Sequence, residues 1–295
     1  MISALLRRLR DYWMLIKPRP TIMALITVMA GYQIGLRHQP LASDTLHLAL
    51  GALIIGAGAN AWNQWWERDA DQKMKRTQNR PMASGRMHPL EGAAFALICS
   101  LGGWIYLWSV FGALAAFLSA VLLLSYTVVY TPLKRVTPWA LYVGAVSGAL
   151  PPILGYGVAR GSLDLGALVL FLILFLWQIP HFIAIAWIYE EDYRAGGFPM
   201  ISVTDPTGHR AQMPMAVCGT LLLAAVVAPA WIGMAGSAYL VVALLLGVVF
   251  LWMGLDFVQE PNRAKARSVI LVSIVYLCAL VIMLAADKGG RLSGI

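Results

Sequence analysis

The sequence predicts an all-α, polytopic membrane protein. Of its 295 residues, 60% are hydrophobic and 12% are charged, whereas about a quarter of the residues in a soluble domain are charged. The apolar residues gather into segments close to the roughly 20 residues that a helix needs to cross a bilayer. Because the chain has no low-complexity tract and no linker, we expect one transmembrane domain over residues 1–295.

The first predicted element is a helix that lies on the membrane surface. Residues 1–17 carry Arg7, Arg8 and Arg10 among leucines and Trp13, a composition typical of a basic amphipathic helix. No small-residue cleavage site follows an apolar core, so the segment lacks the pattern of a signal peptide.

Nine predicted transmembrane helices follow. They lie near residues 17–36, 46–66, 90–109, 113–130, a fifth that ends near 158, 165–189, 213–234, 238–258 and 269–286. Phe111 and Gly112 form the predicted turn between the third and the fourth. The three cysteines lie inside apolar segments without a CxxC pair, which favours packing over a disulfide framework or a zinc site.

The basic residues predict the orientation. With the N-terminus in the cytoplasm, 18 of the 22 Lys and Arg residues fall in the N-terminal segment and the cytoplasmic loops. The four on the opposite side are Arg37, Arg160, Lys288 and Arg291. This asymmetry follows the positive-inside rule, and it explains the net charge of +8 without nucleic acid as a partner. The C-terminus is then expected outside.

The stretch between residues 60 and 86 indicates a functional site. Asn63, Glu67 and Asp71 are spaced four residues apart where the second predicted span meets water. On a helix, this spacing lines the amide and both carboxylates along one face, which we call the acidic stripe. Such oxygen ligands suit Mg²⁺, which takes few protein ligands and leaves places for phosphate oxygens. A charged cap on a membrane helix is the alternative interpretation of this stretch alone.

A second acidic cluster supports the site. Glu190, Glu191 and Asp192 follow the sixth predicted span, on the same predicted side of the membrane as the acidic stripe. Consecutive helix positions point about 100° apart, so we expect Asp192, and not all three, to face the metal. Carboxylates that bind Mg²⁺, beside cations that neutralise a leaving group, suit diphosphate chemistry. The candidate cations, each also explained as a topological anchor, are Lys73, Arg76, Arg80, Lys134, Arg135 and Arg194.

Several motifs accompany these residues between Lys17 and about Met215. They are Lys17-Pro18, the N-x-x-x-E-x-x-x-D pattern of the acidic stripe, Arg76-Thr77 with Asn79-Arg80-Pro81, Tyr130-Thr131 with Leu133-Lys134-Arg135, and Trp177-Gln178-Ile179-Pro180-His181-Phe182 with Asp192-Tyr193. Together they resemble the UbiA-type intramembrane prenyltransferases. The RT-x-NRP and WQ-x-PHF elements are similar to those of family members that prenylate haem.

The resemblance implies a fold and an activity. It implies nine transmembrane helices around a central cavity, in a bacterial cytoplasmic membrane, with Mg²⁺ as the cofactor. The implied reaction is the ionisation of farnesyl diphosphate, attack by a vinyl group of haem b and addition of water, which gives haem O for a terminal oxidase. The implied partners are these two substrates and the lipid bilayer, with contact to haem A synthase or to terminal-oxidase assembly.

The resemblance also assigns residues. It implies that Asn63, Glu67, Asp71 and Asp192 hold the metal and, with Lys134, are catalytic. The implied substrate-binding residues are Arg76, Asn79, Arg80, Tyr130, Lys134, Arg135, His181 and Tyr193. An uninterrupted helix would put His181 on the face of Asp192, about 16 Å deeper, where a neutral imidazole can ligate haem iron. A hydrogen-bonded packing role for His181 is the alternative.

Two other functions stay open at this point. A UbiA-type enzyme that acts on a phenolic or quinone precursor would share the metal and diphosphate residues. A transporter would place ionisable residues near mid-membrane, whereas the clustered acidic residues here lie at predicted helix ends.

Overall fold

The structure is a computed structural model that describes residues 2–36 and 41–287. All regular secondary structure within these ranges is helical, which confirms the all-α prediction. Arg37, Lys288 and Arg291, which the orientation prediction uses, lie outside the described residues.

The helices follow one another along the chain with short connections. Those of the first half are α1 (Ile2–Leu15), α2 (Pro18–Gly35), α3 (Ala42–Asp71), α4 (Pro89–Leu124), a π-helix (Ser125–Tyr130), α5 (Thr131–Leu133) and α6 (Ala140–Arg160). Those of the second half are α7 (Leu165–Ile188), α8 (Glu190–Gly196), α9 (Ile201–Thr204), α10 (His209–Ala225), α11 (Ala228–Trp231), α12 (Ser237–Gln259) and α13 (Arg263–Ala286).

Local chemistry explains several helix starts. The Asp164 carboxylate accepts hydrogen bonds from the amides of Gly166 and Ala167 at 2.9 and 3.3 Å, which caps α7. The Asn262 side chain accepts from the amide of Lys265 at 2.9 Å and caps α13 in the same way. Both side chains satisfy amides that have no partner within the helix.

Seven helical stretches are long and apolar enough to cross a membrane, so the chain is a multi-pass membrane protein. They are Ala42–Asp71, Pro89–Leu133, Ala140–Arg160, Leu165–Ile188, His209–Trp231, Ser237–Gln259 and Arg263–Ala286. The seven do not include α2, an 18-residue helix that carries Arg19 in its first turn. The count of nine spans and the orientation therefore stay predictions.

The longest of these stretches folds back on itself at Gly112. This glycine has φ 77° and ψ −166°, a conformation that residues with a Cβ avoid. The Trp104 indole nitrogen donates to the carbonyl of Ala116 at 3.0 Å, whereas a straight helix would separate these residues by about 18 Å. The predicted turn between two antiparallel helices at Gly112 is confirmed.

The described chain divides into two compact units. In the first, Met1–Ser162 with Glu191–Phe198, α2 packs on α6 and α3 packs on α4. A Cβ on Gly31 would lie 1.9 Å from the Pro152 carbonyl oxygen, and a Cβ on Gly155 would lie 1.9 Å from that of Val28. The two backbones therefore touch at glycines, as is common between membrane helices.

The second unit comprises Leu163–Glu190 and Pro199–Ile295. In it α7 packs on α10 and α13, and α12 packs on the same two helices. The segment that the sequence predicts as one long polar loop, residues 194–210, is wrong in part, because it contains α9. The Ser202 hydroxyl of α9 donates to the Ala186 carbonyl at 2.8 Å, and this bond holds the short helix on α7.

Candidate functional site

The acidic stripe lies at the end of α3, entirely within one helix. Asn63, Glu67 and Asp71 are 2%, 3% and 0% exposed. The Asn63 amide nitrogen donates to Glu67 Oε1 at 2.8 Å and to the Thr131 hydroxyl at 3.2 Å. The predicted alignment along one helix face is therefore present, and the stripe is buried within the first unit.

Arg80 compensates the innermost carboxylate of the stripe. Its Nη1 donates to both oxygens of Asp71, at 2.8 and 2.7 Å, and lies 3.9 Å from Glu67 Oε2. Arg80 belongs to the predicted RT-x-NRP element, which forms the turns after α3. This segment therefore returns a cation to the stripe across nine residues of sequence.

Lys134 is the second cation on the stripe. Its side chain, 12% exposed, forms an ion pair with Glu67. Its Nζ lies 5.6 Å from the ring centre of Tyr130 and 5.0 Å from that of Phe198, within the range of cation–π attraction. Burial lowers the pKa of Lys134, but the Glu67 carboxylate outweighs burial, so the pKa stands above its usual value and the side chain stays charged.

Lys17 is the third cation, and the sequence identified it only as part of a motif. Its ammonium group donates to the amide oxygen of Asn63. Burial, reinforced by the charges of Arg80 and Lys134, lowers the pKa of Lys17 well below its usual value. Lys17 is the N-cap of α2 and has a left-handed backbone, with φ 50° and ψ 72°, a conformation that is uncommon outside glycine.

The cluster around the stripe carries more positive than negative charge. Two carboxylates, Glu67 and Asp71, face the three cations Lys17, Arg80 and Lys134. Oppositely charged groups favour the ionised form of buried carboxylates. A surplus of cations in a buried site is suited to an anionic ligand, and diphosphate is such a ligand.

The π-helix shapes the wall of this cluster, and nothing in the composition of the sequence predicted it. Tyr126 and Tyr130 stack at its ends, with ring centres 5.6 Å apart. Thr131, which follows directly, donates to the Tyr126 carbonyl at 2.8 Å and accepts from Asn63. Single π-helical turns are frequently found at functional sites.

Asp192 lies in the first unit, but it does not complete a metal site. Its Oδ1 accepts from the backbone amide of Arg76 at 3.3 Å. Within residues 2–36 and 41–287, no three His, Cys, Asp or Glu side chains converge to hold a metal ion. The predicted arrangement of Asp192 across a metal from the acidic stripe therefore stays a prediction.

The other predicted substrate-binding residues differ in burial. Arg76, Asn79 and Arg135 are exposed, so the structure separates Arg135 from the adjacent Lys134. The ring of Tyr193 meets Phe198 edge-on at 6.1 Å, and Phe198 in turn contacts the Lys134 ammonium. Lys73 is exposed as well.

His181 lies on α7 in the second unit. The expectation of one uninterrupted helix from His181 to Asp192 is wrong, because α7 ends at Ile188 and Tyr189 has φ −109° and ψ 23°. The imidazole stacks on Trp177, with ring centres 4.8 Å apart and planes 18° apart.

Ser273 determines which nitrogen of His181 carries the proton. His181 Nδ1 lies 2.6 Å from the Ser273 hydroxyl, which itself donates to the Ile270 carbonyl at 2.7 Å. Because the hydroxyl proton is engaged, Nδ1 donates to Ser273 and Nε2 keeps a lone pair. The Trp177 indole also donates to the Ser273 carbonyl, at 2.8 Å. Ser273 is 92 residues away in sequence, and no motif indicated it.

Comparisons with known proteins agree on one family. The model of the UbiA prenyltransferase family matches residues 24–283. The chain is 40% identical over 294 residues to the protoheme IX farnesyltransferase of Solibacter usitatus, covering 96% of this chain and 100% of that protein. It is 38% identical over 283 residues to the protoheme IX farnesyltransferase of Myxococcus xanthus, covering 95% of each chain.

Solved structures show the same fold at low sequence identity. A structure of digeranylgeranylglyceryl phosphate synthase has a TM-score of 0.79 at 18% identity, covering 96% of this chain and 99% of that one. A UbiA homolog from Archaeoglobus fulgidus, bound to GPP and Mg²⁺, has a TM-score of 0.65 at 11% identity, covering 93% and 99%. From its sequence relatives and its fold, the chain belongs to the UbiA prenyltransferase family.

Proposed function

We propose that the protein transfers a farnesyl group from farnesyl diphosphate to a vinyl group of haem b, which gives haem O. The observation that carries the transferase chemistry is the buried cluster of three cations on the acidic stripe. The full-length similarity to protoheme IX farnesyltransferases supports haem as the acceptor. The enzyme acts in the bacterial cytoplasmic membrane and passes its product towards haem A synthase or terminal-oxidase assembly.

The reaction breaks the bond between C1 of the farnesyl chain and the diphosphate oxygen, and both electrons leave with the diphosphate. The terminal vinyl carbon of haem b then bonds to C1. Water adds to the other vinyl carbon and loses a proton, which leaves a hydroxyl group on the side chain. The greatest demand on the protein is therefore to stabilise the negative charge that develops on the leaving diphosphate.

Lys17, Arg80 and Lys134 meet that demand. Fixed cations in a site of low dielectric stabilise developing charge without having to reorganise. Lys134 is held between Tyr130 and Phe198, and Arg80 is held by both oxygens of Asp71. Their positions are set before substrate arrives, so little order is lost when the diphosphate binds.

The donor set of the acidic stripe fits Mg²⁺. Asn63, Glu67 and Asp71 offer amide and carboxylate oxygens, the ligands that hard cations prefer, and both carboxylates already face positive groups. We assign these three residues, with Asp192, to the metal. When bound, Mg²⁺ would neutralise phosphate oxygens. The protein's part is to hold the carboxylates ionised and aligned.

His181 is the residue that we assign to the haem. Its Nε2 lone pair is available because Ser273 takes the Nδ1 proton, and a neutral imidazole of this kind can ligate haem iron. The stacking of His181 on Trp177 fixes the plane of the ring. A family member that prenylates a phenol has no use for such a ligand, and this observation favours haem over the phenolic alternative.

The test is a reaction with purified protein, haem b, farnesyl diphosphate and Mg²⁺, followed by mass spectrometry of the haem. The expected product is heavier than haem b by a farnesyl group plus water. EDTA and Asp71→Ala should each abolish the product, since both remove the metal site. Unmodified haem b together with prenylated 4-hydroxybenzoate would instead establish the phenolic alternative.

A further inference from the structure

A basic cavity lies between α1 and the turns that follow α3. Its volume is about 730 Å³, and four arginines line it: Arg7, Arg8, Arg10 and Arg86. Asp11 is the acidic side chain in its lining. The lining residues differ from the residues that contact the acidic stripe, so the cavity is a separate site.

Two of the four arginines are already neutralised. Arg86 Nε lies 2.9 Å from the Asp11 carboxylate, and the same guanidinium donates to the Asn79 carbonyl at 2.8 Å. Arg8 pairs with Glu91 at 2.7 Å and donates to the Arg86 carbonyl at 3.1 Å. These contacts build one rigid wall of the cavity and use its acidic side chain.

Arg7 and Arg10 supply the unmatched charge. Both are exposed, and neither forms an ion pair with any side chain of the described residues. The cavity therefore has two net positive charges available to a ligand, beside a wall that is already fixed. Arginine matches phosphate particularly well, because its planar donors can bind two oxygens at once.

The apolar side of α1 indicates where the ligand comes from. Leu5, Leu6, Leu9 and Trp13 are between 56% and 60% exposed. At about 100° per residue they occupy one sector about 100° wide, and Arg10 and Arg7 follow within the next 100°. A helix with this division lies in the membrane interface, with its apolar side towards the acyl chains. The cavity then opens at the depth of lipid headgroups.

We propose that this cavity binds the phosphate headgroup of an acidic phospholipid, with the acyl chains along the exposed leucines and Trp13 of α1. Arg7 and Arg10 contact the phosphate, and the wall formed by Arg8 and Arg86 limits the size of the headgroup. The net negative charge of an acidic lipid matches the cavity, whereas a zwitterionic lipid brings a cation close to the same arginines. The site therefore prefers acidic lipids.

The experiment is native mass spectrometry of the full-length protein in detergent, titrated with phosphatidylglycerol or with phosphatidylcholine. The wild type should bind one phosphatidylglycerol at least tenfold more tightly than phosphatidylcholine. Arg7→Gln with Arg10→Gln should remove that preference. The matched control is Arg210→Gln with Arg267→Gln, which removes the same charge from exposed positions in the second unit and should keep it.

Equal affinity of the wild type for both lipids would overturn the proposal, and so would an equal loss in both double variants, which would indicate unspecific attraction. Loss of haem b binding with unchanged phosphatidylglycerol binding would reassign the cavity to the haem carboxylates. Thermal unfolding without added lipid checks that the double variant is folded. In that assay, phosphatidylglycerol should raise the Tm of the wild type but not that of Arg7→Gln with Arg10→Gln.

Discussion

Asp71 has no exposed surface, and one guanidinium contacts both of its oxygens. Removing one partner of a buried ion pair leaves the other charge uncompensated, which costs about 3–5 kcal/mol. We therefore expect Arg80→Ala to lower the free energy of unfolding by about this amount, because Arg80 is the residue that donates to Asp71. Denaturant unfolding of the purified protein in detergent measures the change.

The control for this substitution is an ion pair at the surface. Arg8 and Glu91 are 47% and 27% exposed, so Arg8→Ala should cost about 1 kcal/mol or less. Adding Asp71→Asn to Arg80→Ala removes the uncompensated charge and should recover most of the stability, although not the activity. Wild-type stability of Arg80→Ala alone would contradict the role of the pair.

Lys134 and Arg135 are neighbours in sequence with different surroundings. Lys134 pairs with the buried Glu67 between two aromatic rings, whereas Arg135 is exposed. Removing a fixed charge that stabilises a leaving group costs roughly 10²- to 10³-fold in rate. We expect Lys134→Gln to lose about this much prenyl transfer and Arg135→Gln to stay near the wild-type rate. Similar losses in both variants would assign both side chains to the same role.

Ser273 gives a residue-scale test of the haem assignment. In Ser273→Ala the Nδ1 proton of His181 loses its acceptor, so the ring is free to change tautomer. Affinity for haem b, followed by titration of its Soret band, should fall, while affinity for farnesyl diphosphate should not change. Ser273→Thr keeps a hydroxyl and should retain haem affinity. Equal loss of both affinities in Ser273→Ala would indicate a purely structural role.

At the scale of single elements, the turn at Gly112 is the clearest test. Its backbone conformation, φ 77° and ψ −166°, is nearly restricted to glycine and costs other residues about 1–3 kcal/mol. Gly112→Ala should destabilise the protein by about this amount in thermal unfolding. Gly102 is the matched control, because it is helical and a Cβ there would meet nothing within 4 Å. Gly102→Ala should be neutral or slightly stabilising, and equal effects would contradict the strained turn.

Hydropathy and turn residues were enough to predict the long helices. The break at Gly112 followed from the length of the apolar run, and the acidic stripe followed from a spacing of four residues. The end of α7 at Ile188 did not follow, because nothing in the sequence interrupts the helical pattern before Tyr189. Lys17 and Ser273 reach their partners across 46 and 92 residues. Contacts over such separations depend on packing between helices, which local patterns do not encode.

At the scale of the whole molecule, the basic residues predict an N-terminus in the cytoplasm and a C-terminus outside. A reporter that is active only in the cytoplasm should be silent when fused after Ile295. The same reporter fused after Gly208, between α9 and α10, should be active, which serves as the control. Activity at both positions would remove the odd number of spans, and the acidic stripe would then need another orientation argument.

The surplus of positive charge around the acidic stripe also affects what happens after bond cleavage. Lys17, Arg80 and Lys134 attract a diphosphate while it is esterified, and free pyrophosphate carries more negative charge than the ester does. The groups that make cleavage fast therefore bind the inorganic product more tightly than the substrate. Departure of pyrophosphate, and not the formation of the carbon–carbon bond, then sets the pace of the catalytic cycle, and an inorganic pyrophosphatase in the cytoplasm would accelerate it.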